Sequence, residues 1–366
     1  MLTKAAFTHG KGEPFQIDTL QVDDPKPGEV LVRIVAAGIC HTDLIVRDQY
    51  YPVPLPAVLG HEGSGIVEKV GDGVTSVTPG DHVVLSFASC GHCKSCMTGR
   101  PYACQTFYEL NFTGTMHDGT CRLHKEDGTD VANFFGQSSF SGYAVVSERN
   151  VVNVPKDVPL ELLGPLGCGI QTGSGAVLNK LKPEIGSSMV IFGAGSVGLS
   201  ALMASKVAHC GTIVTVDVQD SRLEFAKELG ATHTINPKNV DNVVEEIHKI
   251  TEGGADYSIE TTSRPEVLRQ AVDSLATLGT TVIIGAPALG TEVSLDVNTI
   301  LFEKKVTGLL LGSSIPQIFI PQLIELYKQG KFPFDKLVKY YDLEDINQAA
   351  EDSETGVTIK PIVKIS

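Results

Sequence analysis

The chain has 366 residues, 42% hydrophobic and 20% charged, enough for two domains with sizeable cores and ordinary for a globular rather than a disordered or fibrous protein. A formal net charge of −14 argues against an extended nucleic-acid footprint, which needs clustered Lys and Arg. The opening "MLTKAAFTHGKGEPF" lacks the features of a secretion signal, so the expectation is a reducing, cytoplasmic compartment in which thiols stay free.

In chain order, the first part reads as short strands: "EVLVRIVAAG", "GSGIVEKVG", "DHVVLSF" and "GYAVVSE" are β-branched runs bounded by Gly, Pro and Asp. The texture changes near residue 170. From about 185 strands alternate with helices, in "SMVIFGAG", "SVGLSALMASKVAHCG", "TIVTVDV" and "SRLEFAKELGA", which predicts a parallel sheet with crossover helices. Further strands are expected at "DYSIETT", "TTVIIGAP" and "KVTGLLLG", then helices at "PQLIELYKQGK" and "LEDINQAAEDSETG" and a last strand at "IKPIVKI". The run "SMVIFGAGSVGLSALMASKVA" is about long enough to cross a bilayer, but its glycines and Lys206 fit a strand, a turn and a helix, so no membrane span is expected.

Between the third and fourth of these early strands lies "CGHCKSCMTGRPYAC". Cys90, Cys93, Cys96 and Cys104, four of the eight cysteines, have the spacing C-x2-C-x2-C-x7-C. Two-residue gaps let successive thiolates converge on one tetrahedral ion, and the longer arm closes the site, so zinc is the first reading. Iron–sulfur ligation and a thioredoxin-like redox pair stay open as alternatives. Four protein thiolates leave a zinc ion no open position, so this site would hold a loop and not catalyse. Elsewhere, Cys40 in "AAGICHTDL", His61 in "LGHEGSG" and Cys168 in "LGPLGCGIQTG" supply two thiols and one imidazole, the kind of set that leaves a fourth position free.

"VIFGAGSVGLSA" gives Gly193, Gly195 and Gly198 in G-x-G-x-x-G between a predicted strand and a predicted helix. The glycines permit a tight turn and close backbone approach to a pyrophosphate at the helix N-terminus. Asp217, nineteen residues after Gly198 at the end of the next strand, would accept hydrogen bonds from the adenosine ribose and repel a 2′-phosphate, which favours NAD over NADP.

The form GHE-x2-G-x5-G in "GHEGSGIVEKVG", the "PGDHV" after it, the clustered cysteines, Cys40 and Cys168 together resemble the zinc-dependent medium-chain alcohol dehydrogenases, and the resemblance covers essentially the whole chain. It implies an α/β fold in which a GroES-like, β-rich catalytic domain, 1–169 completed by 310–366, joins a Rossmann doubly wound parallel-sheet NAD-binding domain, 170–309. It implies two zinc ions per subunit, a catalytic one on Cys40, His61 and Cys168 and a structural one on Cys90, Cys93, Cys96 and Cys104. Glu62 matches the conditional ligand of the family, Asp43 the carboxylate that fixes the His61 tautomer, and Thr42 the hydroxyl that receives the substrate proton. Many relatives carry a relay histidine three residues beyond that threonine, where this chain has Ile45, so the proton would leave through water and the cofactor ribose or through His41. His41 and Lys360 match positions at the pyrophosphate, Thr172 one at the nicotinamide end, and Arg222 a basic position near the adenosine ribose. The implied chemistry is reversible hydride transfer to NAD from an alcohol polarised by the metal.

Within the family, "RDQYYPVPLPAVLGHEG", "FFGQSSF" and "FIPQLIELYKQGKFPFDKL" look most like the aryl-alcohol, or benzyl-alcohol, dehydrogenases, which implies small aromatic alcohols and aldehydes as substrates. Phe87, Tyr50, Tyr51, Phe107, Phe112 and Ile284 are candidate walls for an aromatic ring. Alternatives are an allylic or terpenoid alcohol dehydrogenase, a glutathione-dependent formaldehyde dehydrogenase, or a non-catalytic NAD-binding redox sensor, against which the joint presence of Cys40, His61 and Cys168 argues. By resemblance the chain forms a homo-oligomer, a dimer or tetramer, with no nucleic-acid or membrane partner.

Overall fold

A computed structural model describes residues 1–366, which divide into two compact units. The first comprises Met1–Cys168, Ile315–Glu325 and Asp335–Ser366, and the second Gly169–Ser314 and Leu326–Phe334. No helix is long and apolar enough to cross a membrane.

The first unit is built on Glu29–Gly38, a ten-residue strand that is buried along most of its length. It pairs antiparallel with Gly63–Val70 on one edge; the other edge is shared between Tyr143–Ser147 and the late strand Lys360–Lys364. His82–Leu85 and Val151–Asn153 extend this seven-stranded sheet on one side and Val338–Asp342 on the other. Val30, Val32, Ile34, Val67, Val83 and Val146 fill its core. A second sheet of five strands, built around Leu2–Thr8 and Gln16–Val22, completes the unit. The sheet registry matters for chemistry: Ile362 lies opposite Gly38, so the C-terminal strand is laid beside the strand that leads into Cys40.

The second unit is a six-stranded parallel sheet in the order His233–Ile235, Thr212–Val216, Ser188–Phe192, Ala255–Glu260, Leu275–Ile283, Lys305–Gly308. Helices Ser196–Val207, Asp220–Leu229, Val243–Ile250 and Pro265–Asp273 make crossovers between strands. Chain order runs outward from Ser188–Phe192 in one direction and from Ala255–Glu260 in the other, so the carboxyl ends of these two strands form the switch point at which doubly wound sheets bind ligands. The sequence pattern assigns everything after 310 to the first domain, whereas 310–314 and Leu326–Phe334 group with the second unit. Within that short segment Tyr327 and Phe332 both pack against Phe334, with ring centres 5.0 and 6.2 Å away.

Candidate active site and metal centres

Cys40 ends the turn after Glu29–Gly38 and stands at the N-cap of the short helix His41–Arg47. His61 and Glu62 precede Gly63–Val70, and Cys168 follows a short helical turn at Gly164–Gly167. These four come from distant points in the chain, yet their ligand atoms all lie within 4.8 Å of one another. The arrangement fits a metal on an internal criterion. His61 Nε2 is buried without a hydrogen-bond partner, while its other nitrogen, Nδ1, is 2.8 Å from Asp43 Oδ1. A buried imidazole held at one nitrogen and without a protein partner at the other, beside two thiols, has the donor chemistry that suits a transition metal ion such as zinc.

Asp43 is completely buried and also accepts from the amides of Gly60 at 3.1 Å and Cys40 at 2.9 Å, tying both ligand-bearing turns to one carboxylate. A hydrogen bond from Cys168 holds the Cys40 thiol well below its ordinary range against the effect of burial, and the same contact pushes Cys168 well above. Burial works against a charged His61, but the charges of Asp43 and Cys40 outweigh it and raise its pKa.

Glu62 is equally buried, and both its oxygens accept from the Lys360 ammonium, at 3.1 and 2.9 Å; Lys360 Nζ also donates to the Ile39 carbonyl at 3.1 Å. Burial raises the Glu62 pKa, and Lys360 offsets part of that rise. Burial opposes the charge on Lys360, but Glu62 and the Cys40 thiolate more than restore it, so the ammonium stays protonated. Lys360 is therefore 1% exposed and committed to Glu62, deep in the first unit. Gly38 makes room for this pair, since a Cβ there would lie 2.2 Å from Glu62 Oε2.

Thr42 is half-buried with its hydroxyl 3.8 Å from Cys40 Sγ; Ile45 is half-buried on the same helix and His41 is exposed at its start. Against His61 pack Phe135, at 4.7 Å between ring centres, and Phe134, at 5.4 Å. The aromatic cluster continues through Phe107 and Phe112 to Phe87 and Tyr51. Tyr50 is 65% exposed and outside it, and Ile284 is half-buried in the second unit just after Leu275–Ile283. Phe134, Phe135 and the residues behind them are the part that sequence reasoning missed. Phe135 sits at φ +53°, a region that costs a bulky residue of the order of 1–3 kcal/mol. Side-chain hydrogen bonds tie down the segment around it. Asn150 Nδ2 donates to the Phe135 carbonyl at 3.2 Å, and Gln137 Nε2 donates to the His61 carbonyl at 3.0 Å while Gln137 Oε1 accepts from Gly63 N at 3.3 Å. The available signal was the uninterrupted apolar pair inside "FFGQSSF".

The second cysteine group is also assembled, with the sulfurs of Cys90, Cys93, Cys96 and Cys104 within 4.8 Å of one another and Cys90 to Cys96 at 4.0 Å. Four sulfurs about 2.3 Å from one ion lie roughly 3.8 Å apart. Amides point at the sulfurs, Cys93 N to Cys90 and Cys90 N to Cys104 at 3.3 Å and Gln105 N to Cys93 at 3.5 Å, as they do where thiolates are held. The amides of Gln105 and Cys96 bring Cys93 down to about 6, and burial pushes Cys96 up to about 12. All eight cysteines are unbridged.

In the second unit, Gly193 has φ +98° and Gly198 packs so closely that a Cβ would lie 1.8 Å from the Gly193 carbonyl oxygen. Gly195 faces open space as the N-cap of Ser196–Val207. Such a turn leaves a dinucleotide pyrophosphate room to meet the helix amides. Asp217 accepts from Ala194 N at 2.7 Å and Gln219 N at 2.9 Å, and Arg222 Nη1 is 3.9 Å from it. Arg222 Nε is buried without a partner, and Thr172 is 8% exposed in Gly169–Gly175.

Comparison with known proteins agrees with this architecture. The alcohol dehydrogenase GroES-like domain model matches residues 26–156 and the zinc-binding dehydrogenase model matches 196–329. The chain is 44% identical over 363 residues to a geraniol dehydrogenase of Castellaniella defragrans, covering 98% of this chain and 97% of that protein. It is 38% identical to an S-(hydroxymethyl)glutathione dehydrogenase of Paracoccus denitrificans, covering 99% and 100%. A solved structure of benzyl alcohol dehydrogenase from Acinetobacter calcoaceticus superimposes with a TM-score of 0.97 at 54% identity, covering all of both chains. The chain belongs to the zinc-dependent medium-chain alcohol dehydrogenases, with a GroES-like domain and a Rossmann-type parallel sheet.

Proposed function

We propose that this protein oxidises primary alcohols of the benzyl type to aldehydes, reversibly, with NAD as hydride acceptor. The aromatic cluster on His61 carries the substrate class, because a flat aryl carbinol meets ring edges and faces there at no polar desolvation cost. The 54% identity to a benzyl alcohol dehydrogenase supports the same reading. The 44% identity to a geraniol dehydrogenase favours an allylic alcohol as the second reading, since its carbinol carbon is likewise activated by an adjacent π system.

We read Cys40, His61 and Cys168 as ligands of a catalytic zinc and Cys90, Cys93, Cys96 and Cys104 as ligands of a structural one. When bound, the catalytic ion supplies Lewis acidity that lowers the pKa of an alcohol, and NAD supplies the hydride acceptor. Asp43 fixes His61 in the tautomer that leaves Nε2 free to bind. Lys360 restrains Glu62, the conditional ligand, by holding both its oxygens. Thr42 takes the substrate proton and passes it to water, the cofactor ribose or exposed His41, because Ile45 has none to exchange. Gly193, Gly195 and Gly198 shape the pyrophosphate turn with His41 near it, Thr172 serves the nicotinamide end, and Asp217 selects NAD with Arg222 beside the ribose.

A homo-oligomer, dimer or tetramer, is supported by Lys305–Gly308, the last strand in its sheet, which is bonded on one side only. Leu301, Phe302 and Leu310 flank it, all more than half exposed. Unbridged cysteines fit a cytoplasmic setting.

The test is NADH formation by the purified protein with benzyl alcohol, geraniol, ethanol, and formaldehyde plus glutathione in parallel. The expected result is a kcat/KM for benzyl alcohol at least tenfold above ethanol, no requirement for glutathione, and loss of activity after chelation. A preference for geraniol moves the assignment to the allylic reading, and strict dependence on glutathione removes both.

A further inference from the structure

We propose that Glu260 is a positioning residue for the nicotinamide dinucleotide: its buried carboxylate fixes the turn 261–263, which braces the glycine-rich turn beside it. The proposal rests on the reading of this protein as an NAD enzyme. Glu260 ends Ala255–Glu260, the strand next to Ser188–Phe192 at the switch point of the sheet, and is 1% exposed. Its Oε1 accepts from the Thr262 amide at 2.5 Å and the Thr262 hydroxyl at 2.6 Å, and the Ser263 amide also donates to the carboxylate. These partners are neutral donors, and none is a cation. Glycine at 285 encloses the group, since a Cβ there would lie 2.8 Å from Glu260 Oε2 and 2.4 Å from Ser263 N.

The turn that Glu260 holds reaches the glycine-rich turn through Thr261. The Thr261 hydroxyl donates to the Phe192 carbonyl at 2.7 Å and its amide to the same oxygen at 3.0 Å. The fit is close enough that a Cβ on Gly193 would lie 2.4 Å from Thr261 Oγ1. On the other side, the Glu260 carbonyl accepts from the amides of Ile284 at 2.9 Å and Gly285 at 3.1 Å. One residue thus joins three turns that all leave the carboxyl ends of adjacent strands, where doubly wound sheets bind ligands. The arrangement is costly to the fold alone. A buried carboxylate without a counter-ion is disfavoured, and burial accordingly pushes the Glu260 pKa up, with the Thr262 and Ser263 hydrogen bonds offsetting part of the rise. Ser263 sits at φ +64°, a conformation uncommon outside glycine. Both costs fall in one turn at the switch point, as they do where a turn is shaped for a ligand. Glu260 acts through its neighbours, keeping Gly193 and the start of Ser196–Val207 in the geometry that meets a pyrophosphate.

The experiment compares the wild type with Glu260→Gln and Glu260→Ala in NADH binding by fluorescence, KM for NAD and kcat with benzyl alcohol, and Tm without cofactor. Glutamine keeps the shape and one acceptor oxygen but presents an NH2 to an amide N–H, while it removes the buried charge. The expected result for Glu260→Gln is a Kd for NADH and a KM for NAD both raised about fivefold or more, with kcat at saturating NAD not lowered. Its Tm stays within about 2 °C of the wild type, because the lost contact and the relieved desolvation offset each other. Glu260→Ala removes every acceptor and weakens NADH binding further; the glutamine variant decides the matter if the alanine variant does not fold. Wild-type affinity for NADH in Glu260→Gln overturns the proposal while the NAD reading stands, and so does a loss of affinity that only tracks a fall in Tm. A wild-type protein that binds no NADH overturns the NAD reading and this proposal with it.

Discussion

Asp43 binds three donors with two oxygens: Oδ1 takes Gly60 N and His61 Nδ1, and Oδ2 takes Cys40 N. An asparagine has the same shape but must present an NH2 to at least one of these N–H groups. Asp43→Asn is therefore expected to lose about 10–100-fold in zinc affinity at the Cys40–His61–Cys168 site, with a matching fall in turnover. Zinc retained under a competing chelator measures the first, and steady-state NADH formation the second. At this scale the ligand types were legible because GHE, CHTD and the cysteine spacing are local strings. The Lys360–Glu62 pair was not, because 298 positions separate its members and only the pairing of Ile362 with Gly38 reveals their proximity.

The glycine-rich turn was legible as an element because a strand, three glycines and a helix follow one another without interruption. Its closest approach is Gly198, where a methyl group would overlap the Gly193 carbonyl oxygen. Gly198→Ala is expected to weaken NADH binding at least tenfold, read by nucleotide fluorescence, while metal content stays normal because both cysteine sites lie in the other unit. Other elements escaped. Gln16–Val22 is largely exposed and shows no clean alternation, and residues 131–140 are fully buried without a helical or strand period to announce it. Burial there is made possible by side-chain hydrogen bonds from Asn150, Gln137 and Ser138, which no pattern of apolar residues encodes. The loop carrying Asp118 offers a pH test. Burial works against its ionised carboxyl, but hydrogen bonds from Lys26, Thr120 and Arg122 hold it well below the usual range. A carboxylate depressed on folding stabilises above its unfolded pKa of about 4 and loses that contribution as pH falls below it. Asp118→Asn should thus lower Tm at pH 7 and flatten the fall in Tm from pH 4 downward, as differential scanning calorimetry would record.

For the whole molecule, the proposed association of copies rests on the open edge of the parallel sheet. Lys305–Gly308 offers unpaired backbone groups, with Val306 37% exposed on it and Phe302 62% exposed just before it. Val306→Glu places a charge on that edge and is expected to shift the protein toward the monomer in analytical ultracentrifugation, with the metal content of each chain preserved. An unchanged sedimentation profile would place the association surface elsewhere.

Synthesis of the chain gives the Lys360–Glu62 pair a temporal meaning. At roughly 5–20 residues per second, a ribosome makes residue 360 about 15–60 s after residue 62. For roughly the last two thirds of that interval Cys40, His61 and Cys168 have all been made, but the carboxyl group beside them has no counter-ion. The Glu62 carboxylate is therefore the last group of this cluster to gain its partner, because that partner arrives with the C-terminal strand.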